Sequence, residues 1–256
     1  MDPATLIGIA LAVVSLLALM ILEGSSPLAI ILLPPLILVF GATFGAAIAG
    51  SAMNDVKKIP AWFKMALLPA KVPPVSERIA TLVSLAEKAR KEGLLALEAQ
   101  VKDIDDPFLK RGLQMGIDGT DPEELRTVLE GEITAKKGED KVATKFFNGM
   151  GGYAPTIGII GTVVGLIHVL ENLDAPETLG PLIAGAFVAT LWGVLSANFF
   201  WLPMGAKIAR ISELQAAQME LLVEGITEIQ AGTSPRAVRQ KLTALVPPSE
   251  VEREAA

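Results

Sequence analysis

The sequence predicts an all-α polytopic membrane protein, with four transmembrane helices in two hairpins flanking a helical cytoplasmic domain. Three observations carry this. The mean hydropathy is +0.49 and 51% of the 256 residues are hydrophobic, more apolar than a soluble chain of this length. Four apolar runs approach the roughly 20 residues that a bilayer requires. All 22 Lys and Arg lie between Ser51 and Gly151 or after Pro203, and none lies in the short links within either pair of runs. By the positive-inside rule the middle segment and both termini are cytoplasmic.

The first span is Leu6–Leu22. It has no basic n-region and leads straight into a second apolar run, so no cleavable signal peptide is expected. The second span lies within Leu28–Ala52. Proline fits the first helical turn, where its missing N–H is harmless. The spanning helix therefore starts near Pro34 and Pro35, with Pro27–Leu33 as a lead-in; a longer kinked helix is the alternative. The third span is roughly Gly152–Leu170 and the fourth roughly Leu179–Leu202. The resulting divisions are a first hairpin over 1–52, a cytoplasmic helical domain over 53–150, a second hairpin over 151–205, and C-terminal helices with a tail over 206–256.

The middle segment reads as helical. Asn54–Leu68 mixes Lys with Trp62 and Phe63, as a helix leaving the membrane interface does. Ser76 opens a helix that carries Ile79, Leu82, Val83 and Ala86 on one face. Asp121-Pro122 reads as an N-cap and first-turn proline, opening a helix that either runs on toward the third span or breaks near Gly138. The segment is charge-balanced, with 16 basic and 16 acidic residues, which excludes the strongly basic surface of a nucleic-acid binder. After Pro203 come an amphipathic helix over about Ala206–Ala231, a short helix around Ser234–Leu245, and a tail expected to be disordered.

Chemistry is bounded by what is scarce. There is no Cys and one His, which excludes disulfides, thiol chemistry and a His-based metal centre or triad. His168 sits within a turn of Glu171 and reads as an interfacial or packing residue. No Asp, Glu, Lys or Arg lies in the middle of any span, although an ion path through a bilayer normally shows one. If the protein moves ions, the carboxylate must come from another chain. Gly158, Gly161 and Gly165 share a helical face with Thr162 beside them. Ala186, Thr190, Gly193 and Ala197 recur at helical spacing in the fourth span, with Gly185 and Ala189 adjoining. Small residues let helices approach closely in lipid. A threonine there either bonds the carbonyl a turn earlier or offers its oxygen to a cation or water. Pro155 and Pro203, near the cytoplasmic ends of spans three and four, either bend a helix or mark an ion exit.

Together, four stretches resemble a known family: ARKEGLLALE (Ala89–Glu98), DDPFLKRGLQMGIDG (Asp105–Gly119), YAPTIGIIGTVVGLIHVL (Tyr153–Leu170) and AFVATLWGVLSANFFWLP (Ala186–Pro203). The chain resembles the MotA/PomA family, the A subunit of the bacterial flagellar motor stator, within the MotA/TolQ/ExbB superfamily. The resemblance covers about Leu6 to Leu245. It implies an inner-membrane homopentamer around two B subunits. Each B subunit has one span with an essential Asp and a peptidoglycan-binding domain. The ion, Na+ or H+, is transported and is not a cofactor, and no enzymatic activity is expected. Arg90 and Glu98 match rotor-facing charges that push the switch ring, with Lys91 as an accessory. Pro155 and Pro203 match two prolines tied to torque, and Thr190 matches the threonine facing the B-subunit Asp. Thr162 matches a position that is typically Thr in sodium-driven members, which favours Na+ with a transient site at this hydroxyl. Ala189 completes the expected ion pathway. The alternative within the superfamily is a TolQ/ExbB-like or other flagellum-independent motor, although TolQ and ExbB typically have three spans.

Overall fold

A computed structural model describes residues 2–70 and 72–247, which are helical with no strand among them. Two compact units form, one from residues 2–70 and 140–210, the other from 72–139 and 211–247.

The first unit holds the apolar helices. Pro3–Leu22 is a 20-residue helix whose N-cap Asp2 accepts a hydrogen bond from the Thr5 amide at 3.3 Å. At 1.5 Å per residue it extends about 30 Å, the thickness of a hydrocarbon core. Glu23 ends it, and Gly24, at φ +76°, turns the chain back. Ser26 then caps a 3-10 turn at Pro27–Ile30. The next apolar helix is Leu33–Ala49, shorter than the other three, with a π-helical turn at Ile37–Gly41. The lead-in as far as Leu32 thus stands outside this helix, Leu33 begins it, and Pro34 occupies its first turn.

Two further helices extend the sequence expectation. In Ile59–Leu67, Trp62 is only 5% exposed and packs on Phe146 with ring centroids 5.5 Å apart. It is an inward anchor of this unit. The helix Pro122–Glu171 runs unbroken for 50 residues. Gly138 does not interrupt it, because one glycine costs only about 1 kcal/mol in a helix and the neighbouring turns compensate. Pro155 is also carried inside it. Pro176–Ser196 follows, then a π-helical turn at Ala197–Trp201, then Leu202–Gln230. Phe147, Met150, Trp201, Met204 and Ile208 fill the core of this unit. Residues 53–70 and 140–150, assigned from sequence to the cytoplasmic segment, therefore belong to the same compact unit as the apolar helices.

The second unit is a polar helical domain. Val75–Glu92 starts after Pro74, so Ser76 lies inside its first turn and is not its cap; the helix ends at Gly93, whose φ of +85° reverses the chain into a 3-10 turn at Leu94–Leu97 and the short helix Glu98–Lys102. Asp106 caps Pro107–Ile117 by accepting from the amides of Phe108 and Leu109. Asp121 accepts from the Glu123 amide at the start of the long helix, as its position before Pro122 predicts. Ser234 caps Pro235–Ala244. Leu82, Leu97, Leu109, Leu125, Leu129, Leu222, Ile226 and Leu242 are almost wholly buried in one core. Burial of each such side chain contributes about 1.5–3 kcal/mol. A methyl added at Gly225 would lie 2.5 Å from the Leu82 side chain, so this glycine makes room for the core. Arg78–Asp106, Arg111–Glu132, Arg126–Glu224 and Lys241–Glu228 pair at the surface. The expected tail, residues 248–256, lies outside the described residues.

Candidate functional site

Helices Pro122–Glu171 and Pro176–Ser196 meet along a seam of small residues. A Cβ placed on Gly158 would lie 2.8 Å from the Ala189 carbonyl oxygen and 3.1 Å from the Thr190 Cα. One placed on Gly193 would lie 2.6 Å from the Ala154 carbonyl oxygen and 3.0 Å from the Gly158 Cα. These neighbours are backbone atoms, which cannot rotate away. Gly161 and Gly165 close on the Ala189 and Ala186 methyls, each at 2.7 Å from where a Cβ would be. Glycine at these positions is what permits this approach, in the manner of small-residue packing in lipid.

Close approach brings two hydroxyls together. Thr162 and Thr190 are 28 residues apart in sequence, and their Oγ1 atoms lie 2.6 Å from each other. The Thr162 hydroxyl also lies 2.8 Å from the Ala186 carbonyl oxygen. The Gly158 carbonyl oxygen lies 3.3 Å from both hydroxyls. Each hydroxyl has one proton and two lone pairs. If Thr162 donates to Ala186 and Thr190 donates to Thr162, the Thr162 oxygen keeps one free lone pair. Both threonines are half-buried. The site is thus four oxygens without a formal charge, and it suits a hard cation or a water better than a proton-transfer reaction, which needs a titratable group.

The remaining expected pathway residues have different surroundings. Ala189 is buried within the seam against Gly161 and acts there as a spacer. Pro155 is half-buried inside the long helix and deprives it of one backbone donor. Pro203 is exposed, just past the π-helical turn at Ala197–Trp201. It borders a cavity of about 460 Å³ lined also by Asp2, Thr5, Gly8, Phe199 and Lys207. Lys207 donates to the Thr5 hydroxyl at 2.7 Å and pairs with Asp2 at 3.0 Å. The hydrogen bond from Lys207, and then that from the Thr5 amide, holds the Asp2 carboxyl below its ordinary value. This pins the start of the first helix. His168 is exposed near the end of its helix, with Nδ1 3.4 Å from Glu171 and its carbonyl accepting from Asn172 at 2.8 Å.

In the polar unit, Arg90 and Lys91 lie in the last turn of Val75–Glu92, and Glu98 opens the helix after the Gly93 reversal. All three are exposed, and none forms an ion pair or side-chain hydrogen bond among the described residues. Two partners in the pathway were not visible in the sequence as functional groups. The Gly158 and Ala186 carbonyls are backbone, and their only sequence signal is a small residue one turn before each threonine. The Asp2–Lys207 pair joins chain segments 205 residues apart and has no local signature.

A sequence profile of the MotA/TolQ/ExbB proton channel family matches residues 100–221. Motility protein A of Bacillus subtilis (strain 168) is 36% identical over 247 residues, covering 96% of this chain and 92% of that protein. The chain in the structure of C. jejuni MotAB superimposes with a TM-score of 0.93 at 32% identity, with 97% of each chain covered. The flagellar MotAB stator complex from Bacillus subtilis gives a TM-score of 0.92 at 34% identity, covering 99% of this chain and 100% of that one. A seam of facing glycines, no intramembrane acid or base, and this similarity along nearly the full length lead to one assignment: the chain belongs to the MotA/TolQ/ExbB proton channel family, as a membrane protein of its flagellar-stator MotA branch.

Proposed function

We propose that this chain is the A subunit of a flagellar stator that couples inward cation flow to torque, with Na+ favoured over H+. The observation that carries the reading is the Thr162–Thr190 oxygen cluster on a seam with no carboxylate of its own. A dehydrating cation needs several oxygens and a countercharge. The hydroxyls and carbonyls supply oxygens; the countercharge comes from an Asp on the single span of a MotB/PomB-like B subunit that also holds peptidoglycan. Sodium is favoured because the Thr162 oxygen retains a lone pair, whereas alanine at this position offers no ligand.

In this reading five copies surround two B subunits in the bacterial inner membrane, with both termini of this chain in the cytoplasm. The unpaired Arg90, Lys91 and Glu98 face the rotor switch ring, and Pro155 and Pro203 flank the ion exit. Native mass spectrometry of the chain co-expressed with its B partner tests the assembly, and a five-to-two complex is the expected mass. A homo-oligomer that never captures the B chain would sink the reading. A five-to-two complex that leaves swimming unaffected when deleted would instead favour a flagellum-independent motor.

A further inference from the structure

Among the large apolar side chains of the polar unit, Leu95 is the most exposed, at 73%, ahead of Leu245 at 60% and Val128 at 45%. Its neighbours are ordered otherwise. Leu97 is fully buried and Leu94 packs against the core. Gly93 sets this division: its φ of +85° reverses the chain, and the 3-10 turn that follows sends Leu97 inward and leaves Leu95 outside. The turn is short and held by partly buried Leu94 at one end and buried Leu97 at the other, so Leu95 has no route to the core.

Charged residues flank this turn in sequence on both sides. Arg90, Lys91 and Glu92 precede the turn and Glu98 follows it, all exposed. Arg90, Lys91 and Glu98 are without partners among the described residues, whereas Arg78, Arg111 and Arg126 of the same unit are ion-paired. A single exposed leucine is ordinary on a protein surface. An exposed leucine flanked in sequence by unpaired charges of both signs has the composition of a small interface, with an apolar anchor and a polar rim. The charges steer and orient a partner, while desolvation of the anchor slows its release.

We propose that Leu95 is the apolar anchor of the rotor contact, seated in a shallow apolar pocket of the switch-ring protein, whose rim carries acidic groups toward Arg90 and Lys91 and a basic group toward Glu98. This rests on the rotor-facing reading of those charges given above. A lipid surface does not fit, because the rim is amphoteric and not basic.

The test compares Leu95→Asp, Leu95→Met and the double variant Arg90→Ala/Glu98→Ala, each in a host lacking the native gene. Leu95→Asp is expected to cut motor torque by about tenfold, and Leu95→Met to retain it. Complex formation with the B subunit, followed by native mass spectrometry, should be unchanged in all three, since the side chain does not contribute to the core. A photo-crosslinker at position 95 should capture the switch-ring protein. Normal torque in Leu95→Asp alongside an impaired double variant overturns the anchor while leaving the rotor-facing charges in place. Normal torque in both variants overturns the anchor and the rotor-facing assignment together. Capture of a second copy of this chain overturns the anchor and assigns the patch to self-association.

Discussion

Thr162 and Thr190 share a 2.6 Å hydrogen bond across the seam between the two helices, and Thr162 is also tied to the Ala186 carbonyl at 2.8 Å. The two hydroxyls are therefore one unit, and variants of them should not act independently. Thr162→Ala removes a proposed cation ligand and also the hydroxyl to which Thr190 is hydrogen-bonded. Its expected phenotype is loss of sodium dependence with motility reduced but present. Thr190→Ala should abolish motility, because in the proposed stator Thr190 is the hydroxyl that faces the B-subunit Asp. Swimming speed against Na+ concentration at constant ionic strength separates the two. An unchanged sodium curve in Thr162→Ala would count against a sodium role for the cluster.

Gly193→Ala should disrupt the seam. The added methyl meets the Ala154 carbonyl oxygen at 2.6 Å, and both partners are backbone. Overpacking of this kind costs about 1–3 kcal/mol. The thermal unfolding midpoint of the purified complex should fall accordingly. Gly138→Ala is the matched control. It is exposed and its Cβ meets nothing within 4 Å, so it should gain up to about 1 kcal/mol from helix propensity. Equal midpoints for the two variants would contradict the seam.

The Glu228–Lys241 pair fastens the C-terminal helix Pro235–Ala244. Burial alone would raise the Glu228 carboxyl. Hydrogen bonds from Lys241 and Thr233, with the positive charges of Lys241 and Arg126, outweigh it and hold the group below its ordinary value of 4.5. A depressed carboxyl contributes its full stability above the ordinary value and loses it as pH falls through the lower folded value. Lys241 is largely exposed, so the contribution is under about 1 kcal/mol. Hydrogen exchange in residues 235–244 should quicken below about pH 4.5, and Glu228→Gln should quicken it at neutral pH and flatten the acid dependence. An acid dependence identical in the variant would exclude Glu228 as its source.

Lys207→Ala should release the start of the first helix, since Lys207 holds both Asp2 and the Thr5 hydroxyl. The apolar helix itself stays intact, because its length and hydropathy do not depend on this pair. Proteolysis near the N-terminus should become several-fold faster, and Lys207→Arg should restore protection. Unaltered cleavage in Lys207→Ala would show that the Asp2 backbone bond to the Leu67 carbonyl, at 3.0 Å, suffices as the anchor.

The sequence by itself determined which segments are apolar enough for a membrane, because span length and charge are additive local properties. It also determined the glycine and alanine faces that pack, because helical spacing places them on one side. The cap at Asp121 follows equally from short-range chemistry, whereas the one expected at Ser76 does not form, since its helix starts a residue earlier. Tertiary structure decided the rest. Continuity through Gly138 and Pro155 rests on a 50-residue helix whose neighbouring turns outweigh single weak positions. Trp62 is buried because Phe146 meets it from a segment 84 residues later, an approach no local pattern encodes. Thr162 finds the Ala186 carbonyl only after the glycines have let two helices come into backbone contact. A candidate cation site that joins two threonine hydroxyls to two backbone oxygens comes into being only at that contact distance, so the packing completes what the residue types supply.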